Sequence, residues 1–276
     1  MSGAVCIVTA LKAEAHPLID YFRLTRETDD GLQFPVYSNG KIRLFVSGVG
    51  KRNCAAAVQC YGALHASKQA MAWLNVGIGG HGTRSIGEGL MANRIDDRTS
   101  GEIWYPSFVS DFRCDVGTVA TTDEVETNFA DDAVYEMEAA GFYGAARQHT
   151  RLDLIHSYKV ISDNKLSSAM NLTRQEISRL VGTHGPCVAS ICSMLSNLVS
   201  ELDSRHRTAR EYDKFLARWR FSETQKHLLR RWLRKCETLG IQISVEDEKL
   251  SSCETSRSAI AVLHDELTDY WNRTRV

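Results

Sequence analysis

The chain of 276 residues lacks any apolar run long enough to cross a bilayer as a helix. Its N-terminal apolar stretch, Val5 to Leu11, is far too short to span and follows no basic segment, so neither a membrane anchor nor a secretory signal is expected. A cytoplasmic location is the corresponding expectation. Cysteine is present but unpatterned: Cys6, Cys54, Cys60, Cys114, Cys187, Cys192, Cys236 and Cys253 show no CxxC spacing and no histidine at zinc-site distance. They read as reduced thiols, mostly buried. The nine histidines form no HExxH or comparable cluster, so no metal is expected.

Other absences narrow the chemistry. Gly50-Lys51 follows a candidate strand, but no glycine precedes it at P-loop spacing, and Arg52 stands where a magnesium-holding Ser or Thr belongs. Ser47-Gly48-Val49-Gly50 is too short for a dinucleotide fingerprint, and there is no Gly-x-Ser-x-Gly elbow. No internal repeat or low-complexity tract appears. What remains is a composition of 43% hydrophobic and 24% charged residues with a formal net charge of −1, ample for one sizeable core.

Apolar runs at Ala4–Ala10, Ile42–Ser47, Ala72–Ile78, Val116–Thr122 and Leu152–Ile161 predict strands separated by segments that can hold helices, an α/β pattern. Glycines cluster at two strand exits, Gly48 and Gly50, then Gly77, Gly79, Gly80 and Gly82, where backbone can approach a ligand. The stretch Tyr135 to Ala146 predicts a helix with Gly141 and Gly144 allowing close packing and Glu136, Met137 and Glu138 at its leading end. Asp163 falls at the end of the strand that includes Ile161, where ligands gather in open α/β sheets. Thr173-Arg174-Gln175-Glu176 has capping-box form, and helical periodicity resumes over Val188–Leu202.

Beyond Leu202 the character changes. Arg205, Arg207, Arg210, Lys214, Arg218, Arg220, Lys226, Arg230, Arg231, Arg234 and Lys235 stand among few acids, and Ser222-Glu223-Thr224-Gln225 is a second capping box. Ile260, Leu263, Leu267 and Trp271 form a stripe on a last helix. The expected organisation is a domain over residues 1–202 and a basic amphipathic helical extension over 203–276. Its apolar residues are expected to pack; binding of nucleic acid through its basic face is the less favoured alternative.

Four blocks together resemble the nucleoside phosphorylase and nucleosidase superfamily: Val8 to Glu14, Val46 to Lys51, Asn75 to Gly80, and Glu136 to Tyr143 with Ser162-Asp163. The resemblance spans residues 4 to 200 and implies a three-layer α/β sandwich on a mixed, partly barrel-like sheet. It implies cleavage of the ribosyl N-glycosidic bond of a purine or purine-like nucleoside, without cofactor, in a homo-oligomer. By the same resemblance Asp163 would protonate the departing base, Glu14 would activate water, Glu138 would hold ribose hydroxyls and Met137 would lie against the sugar. Glu136, Gly79 and Ser162 complete the substrate site.

The chain also departs from that pattern. Asn75 and Ile78 stand where phosphorylases of this type carry phosphate ligands, which favours water over phosphate as co-substrate. A phosphorylase drawing on Arg43, Arg52 or Arg84 is the alternative, and a nucleoside-binding protein without turnover a further one. The segment Thr121 to Val125 lacks the phenylalanine that stacks on the base, leaving Trp104, Tyr105 or Phe108 as replacements.

Overall fold

A computed structural model describes residues 4–27, 32–65, 70–109, 112, 114–167 and 172–274. Its strands are β1 (Ala4–Thr9), β2 (Thr25–Arg26), β3 (Val36–Ser38), β4 (Ile42–Val46), β5 (Met71–His81), β6 (Gly89–Asp97), β7 (Ile103–Trp104), β8 (Asp115–Thr121), β9 (Ala133–Glu136) and β10 (Ile155–Asp163). Its helices are α1 (Lys12–Phe22), α2 (Lys51–His65), α3 (Ala139–Ala146), α4 (Arg174–Thr183), α5 (Gly185–Arg218), α6 (Glu223–Thr238), α7 (Glu248–Ser251) and α8 (Ser256–Thr274). The strands form one mixed sheet, and the chain divides into compact units Met1–Ser200 and Glu201–Val276, the boundary lying inside α5.

The sheet is partly a barrel. From β10 it runs to β6, β8, β9 and β5, and β10 also pairs with β5, which closes a ring; β1, β4, β3 and β2 continue outward from β5. The long β5 organises this arrangement, because β10 runs along Trp73–Gly80 on one edge and leaves the other to two partners. Parallel β1 takes that second edge over Met71–Asn75, and antiparallel β9 takes it at Gly80 and His81. Between the end of β1 and the arrival of β9 the edge is vacated, and the sheet opens.

Packing explains why these segments settle so. Cys6 and Val8 of β1 join a buried cluster with Cys54, Val58 and Tyr61 of α2 and Phe142 of α3, so alternate residues Val5 and Ile7 face the other layer. Phe45, Tyr61 and Trp73 form an aromatic knot in this cluster, with centroids 5.2 to 6.3 Å apart. Burying each such side chain contributes about 1.5–3 kcal/mol. The α2/α3 contact depends on Gly141, where a Cβ would overlap the carbonyl oxygen of Lys51. In α1, Pro17 withholds the N–H that Ala13 O would accept, and Ser178 of α4 donates its hydroxyl there instead at 2.7 Å.

Three local expectations are corrected. Residues 135 and 136 belong to strand β9, not to a helix; the helix starts at Ala139, because Val134 and Tyr135 pair with His81 and Gly80 of β5. Leu152–Leu154 is a 3-10 turn, and β10 begins only at Ile155. Strand β6 was not expected: a bulge between Ala92 and Arg94 breaks its alternation, and its buried Asp96 and Asp97 read as loop residues. Thr173 and Ser222 do cap α4 and α6, each with the reciprocal side-chain bond.

The second unit is a helical cluster. Tyr212, Phe215 and Trp219 of α5, Leu229 and Leu233 of α6, Val245, Leu250 of α7, and Ala259 and Leu263 of α8 form its core. Leu267 continues the α8 stripe, whereas Trp271 is exposed and Ile260 half-buried. Basic residues are densest at the end of α5 and in α6; beyond α6, Glu246, Asp247, Glu248, Glu254, Asp265, Glu266 and Asp269 outnumber Lys249, Arg257, Arg273 and Arg275.

Candidate active site

The opening beside β5 is a cavity of about 220 Å³. Its wall comprises Ala10, Leu11 and Glu14 after β1, Ile78, Gly79 and Gly80 of β5, Tyr135 and Glu136 of β9, then Met137 and Glu138, and finally Ser162 and Asp163 at the end of β10. Val49, Thr122, Val125 and Glu126 complete it. Carboxyl ends of parallel strands thus converge where the sheet switches partners, the usual ligand position in α/β sheets. The seven residues singled out in the sequence, Glu14, Gly79, Glu136, Met137, Glu138, Ser162 and Asp163, all line this one cavity.

Each carboxylate is held differently. Glu14, in the first turn of α1, is buried and accepts the N–H groups of Ala10 and Leu11 on Oε2, both at 2.9 Å, and that of Ile78 on Oε1 at 3.0 Å. Burial pushes its carboxyl pKa up, against those backbone donors and Lys159. Three of roughly four acceptor positions are therefore filled, and one on Oε1 is left. Glu136 is saturated: it takes the Thr121 hydroxyl at 2.6 Å, the Glu138 N–H at 3.0 Å and the Ala139 N–H at 2.9 and 3.0 Å. That arrangement folds the strand-to-helix turn and leaves it little acceptor capacity for a ligand.

Glu138 occupies the N-cap position of α3 and receives the Gly50 N–H on Oε1 at 2.8 Å. Burial, then the nearby Glu136 charge, raises its pKa to about 7. Ser162 donates its hydroxyl to Asp163 Oδ1 at 2.5 Å, which fixes that carboxyl at the cavity wall.

Sequence reasoning missed Lys159. It lies in β10 with no solvent exposure, its Nζ 2.7 Å from Glu136 Oε2, an ion pair by distance without the alignment of a hydrogen bond. Burial works to discharge it, but Glu136, Glu138 and Glu14 outweigh that and hold its pKa above the ordinary lysine value. A Cβ on Gly77 would stand 3.0 Å from Glu14 Oε1 and 3.4 Å from Lys159 Nζ, so Glu14 and Lys159 converge over a residue that must lack a side chain. The only signal for Lys159 was a charge inside an otherwise apolar strand.

Other expectations are not met. Trp104, Tyr105 and Phe108 are absent from the cavity wall; Trp104 packs on Tyr143, and Phe108 on Phe112 and His156. The aromatic that does line it is Tyr135. Arg43, Arg52 and Arg84 are likewise absent from the wall, Arg43 lying against Glu27 and Arg84 bonded to Glu88 and Asp115. At Gly79 and Gly80 the space a Cβ would need is filled by Val134, Tyr135, Phe129 and Asp163, so those glycines admit protein atoms rather than a ligand. Among the described residues no group of three or more His, Cys, Asp or Glu is arranged to hold a metal ion, and no helix is long and apolar enough to cross a membrane.

No protein-family model matches the chain, and no curated protein does. Solved structures do. The 5'-methylthioadenosine nucleosidase of Arabidopsis thaliana in apo form aligns at a TM-score of 0.58 and 16% identity, over 70% of this chain and 96% of that one. A Helicobacter pylori nucleosidase variant with 5'-methylthioadenosine in its active site aligns at 0.57 and 15%, over 70% and 100%. The futalosine hydrolase of Helicobacter pylori aligns at 0.54 and 15%, over 70% and 99%. Over 70% of its length, the chain therefore has the α/β fold of these nucleosidases.

Proposed function

We propose that the chain is a hydrolytic nucleosidase that cleaves the ribosyl N-glycosidic bond of a purine or purine-like nucleoside. The observation that carries this reading is the convergence of Glu14, Met137, Glu138 and Asp163 on one cavity whose wall, among the described residues, contains no lysine or arginine.

The bond from ribose to base breaks with its electron pair leaving on the base, so positive charge develops on the sugar and negative charge on the base. Asp163, as the carboxylic acid, gives its proton to a base ring nitrogen, and Ser162 holds it in place. Water adds to the sugar carbon and gives up a proton to Glu14. Three backbone N–H groups fix Glu14, its remaining acceptor position faces the water, and burial makes it a stronger base than a free carboxylate. Lys159, with no aligned acceptor of its own, can donate to the same water over Gly77. Glu138 accepts from the ribose hydroxyls and Met137 lies along the sugar. Glu136 acts through its neighbours, holding the Glu138 turn and neutralising Lys159.

Electrostatics favours water over phosphate. Glu14, Glu126, Glu136, Glu138 and Asp163 all line the wall, and Lys159 beside Glu14 is already paired with Glu136. A phosphate dianion would enter a field of its own sign, whereas an oxocarbenium-like sugar would be stabilised by it.

The test is base release, followed chromatographically, from methylthioadenosine, S-adenosylhomocysteine, adenosine, inosine and guanosine, with and without phosphate. The expected result is release without phosphate, with kcat reduced about 10²–10⁴-fold in Asp163→Asn. Release that requires phosphate and yields ribose 1-phosphate would replace hydrolysis by phosphorolysis. Binding without release from any of them would leave a nucleoside-binding protein.

A further inference from the structure

One acidic group on the cavity wall contributes no more than its charge to this chemistry. Glu126 lies in the segment joining β8 to β9, and that segment is clamped at both ends. At its start Asp123 is bonded to Lys51 Nζ at 3.1 Å and to the Thr99 hydroxyl at 2.8 Å, while Lys51 also holds Asp97 at 2.9 Å. At its end Asp131 meets Arg98 at 2.5 Å, and Asp132 meets His81 Nε2 at 3.1 Å. The Nδ1 of His81 accepts the N–H groups of Thr83 and Arg84, so Nε2 carries the proton and donates to Asp132.

Between these anchors Val125 and Glu126 line the cavity. Val125 is 63% exposed, an apolar surface on a cavity wall with little else covering it. Glu126 Oε1 accepts the N–H groups of Thr127 at 2.9 Å and Asn128 at 2.7 Å, while Oε2 takes no hydrogen bond from the described residues. The side chain is thus fixed by one oxygen on a segment that is itself fixed, and the other oxygen is open to a ligand. Asp163 projects from a different element, β10, into the same cavity, so the two carboxyls can address different parts of one base.

We propose that Glu126 is the specificity-determining residue for the base, accepting a hydrogen bond from an N–H donor on its six-membered ring. The inference rests on the nucleosidase reading. A carboxylate only accepts, so it selects a 6-aminopurine or a 6-oxopurine bearing N1–H and discriminates against a purine with neither.

The experiment compares kcat/KM for adenosine, inosine and purine riboside in the wild type, Glu126→Ala and Glu126→Gln. The wild type is expected to favour the donor-bearing substrates by about 10–100-fold, below the limit for a fully buried site because Glu126 is half-buried. Differences in leaving-group ability are common to all three proteins and cancel when preferences are compared. In Glu126→Ala the preference falls at least tenfold, because the donor substrates lose their partner while purine riboside changes little. Glu126→Gln retains an acceptor oxygen and falls between. A preference unchanged in Glu126→Ala, or an equal loss for all three substrates, overturns the inference. If Asp163→Asn abolishes release while Glu126→Ala keeps the preference, only the role of Glu126 fails. If the wild type releases no base from these three, nor from methylthioadenosine, S-adenosylhomocysteine or guanosine, the nucleosidase reading fails and this inference with it.

Discussion

Replacing Glu138 by Gln should make the protein more stable above neutrality and less active. The folded protein holds this carboxyl at a pKa of about 7, against an ordinary 4.5, first because it is buried and next because Glu136 lies close. Between those values the native state keeps a proton that the unfolded chain loses. Stability therefore falls as pH rises from 4.5 to 7, and the whole cost is present above 7. The difference of about 2.5 units corresponds to roughly 3 kcal/mol at most. Glutamine is neutral at every pH and its carbonyl can still accept the Gly50 N–H, so Glu138→Gln removes the cost without removing the contact. At pH 8 the gain is about 1–3 kcal/mol, and near pH 4.5 it vanishes. For a unit of this size each kcal/mol is about 2–4 °C in Tm, so thermal unfolding of the full chain at pH 5 and pH 8 reads the effect directly. Equal Tm differences between variant and wild type at the two pH values would refute the reasoning, as would a destabilised variant at pH 8.

Three other perturbations address the packing. Lys159→Met leaves Glu136 buried without its counter-charge and should cost about 3–5 kcal/mol; adding Glu136→Gln should recover most of it, as measured by urea unfolding. Gly141→Ala should destabilise by roughly 1–3 kcal/mol through overlap with Lys51, whereas Gly144→Ala meets nothing nearer than Trp104 at 4.0 Å and should gain up to about 1 kcal/mol in helix propensity; thermal unfolding of the pair separates the two glycines. Leu229→Ala, at a fully buried position of the helical unit, should cost about 2–5 kcal/mol in a denaturant titration.

Asp163 is readable in sequence because a strand's apolar run ends visibly at Ile161 and the polar residues after it occupy a known place in an α/β sheet, whereas Glu14, inside the first turn of α1, is picked out only by the resemblance of Val8 to Glu14. The turn at Glu136-Met137-Glu138 is harder. The apolar residues of β9 run into those of α3 with only Glu136, Met137 and Glu138 between, and the short strand β9 exists only because β5 leaves an edge for it. Strand β6 is obscured by its bulge, and its acids are buried only through pairing with Arg94, Arg98 and Lys51. The same difficulty hides the segment around Glu126, whose clamps join residues distant in sequence, Lys51 with Asp123 and His81 with Asp132. Local composition carries no information about such pairs.

Charge balance links the proposed chemistry to the fold. Glu14, Glu136 and Glu138 surround Lys159, and Asp163 adds a fourth carboxyl to the cavity, so even with a proton retained on one or two of these groups the site is biased negative. Burial first and that bias second raise the pKa of Glu138 and cost stability, and in the proposed reaction the bias also favours positive charge on the ribose as the bond to the base breaks. A preorganised negative site does not need to rearrange when that charge appears, which is why the cost is borne by the folded protein beforehand. Removing the Glu138 charge relaxes the folded protein and weakens the field on the sugar together. Gain in stability and loss in kcat should therefore appear in the same variant, above the same pH.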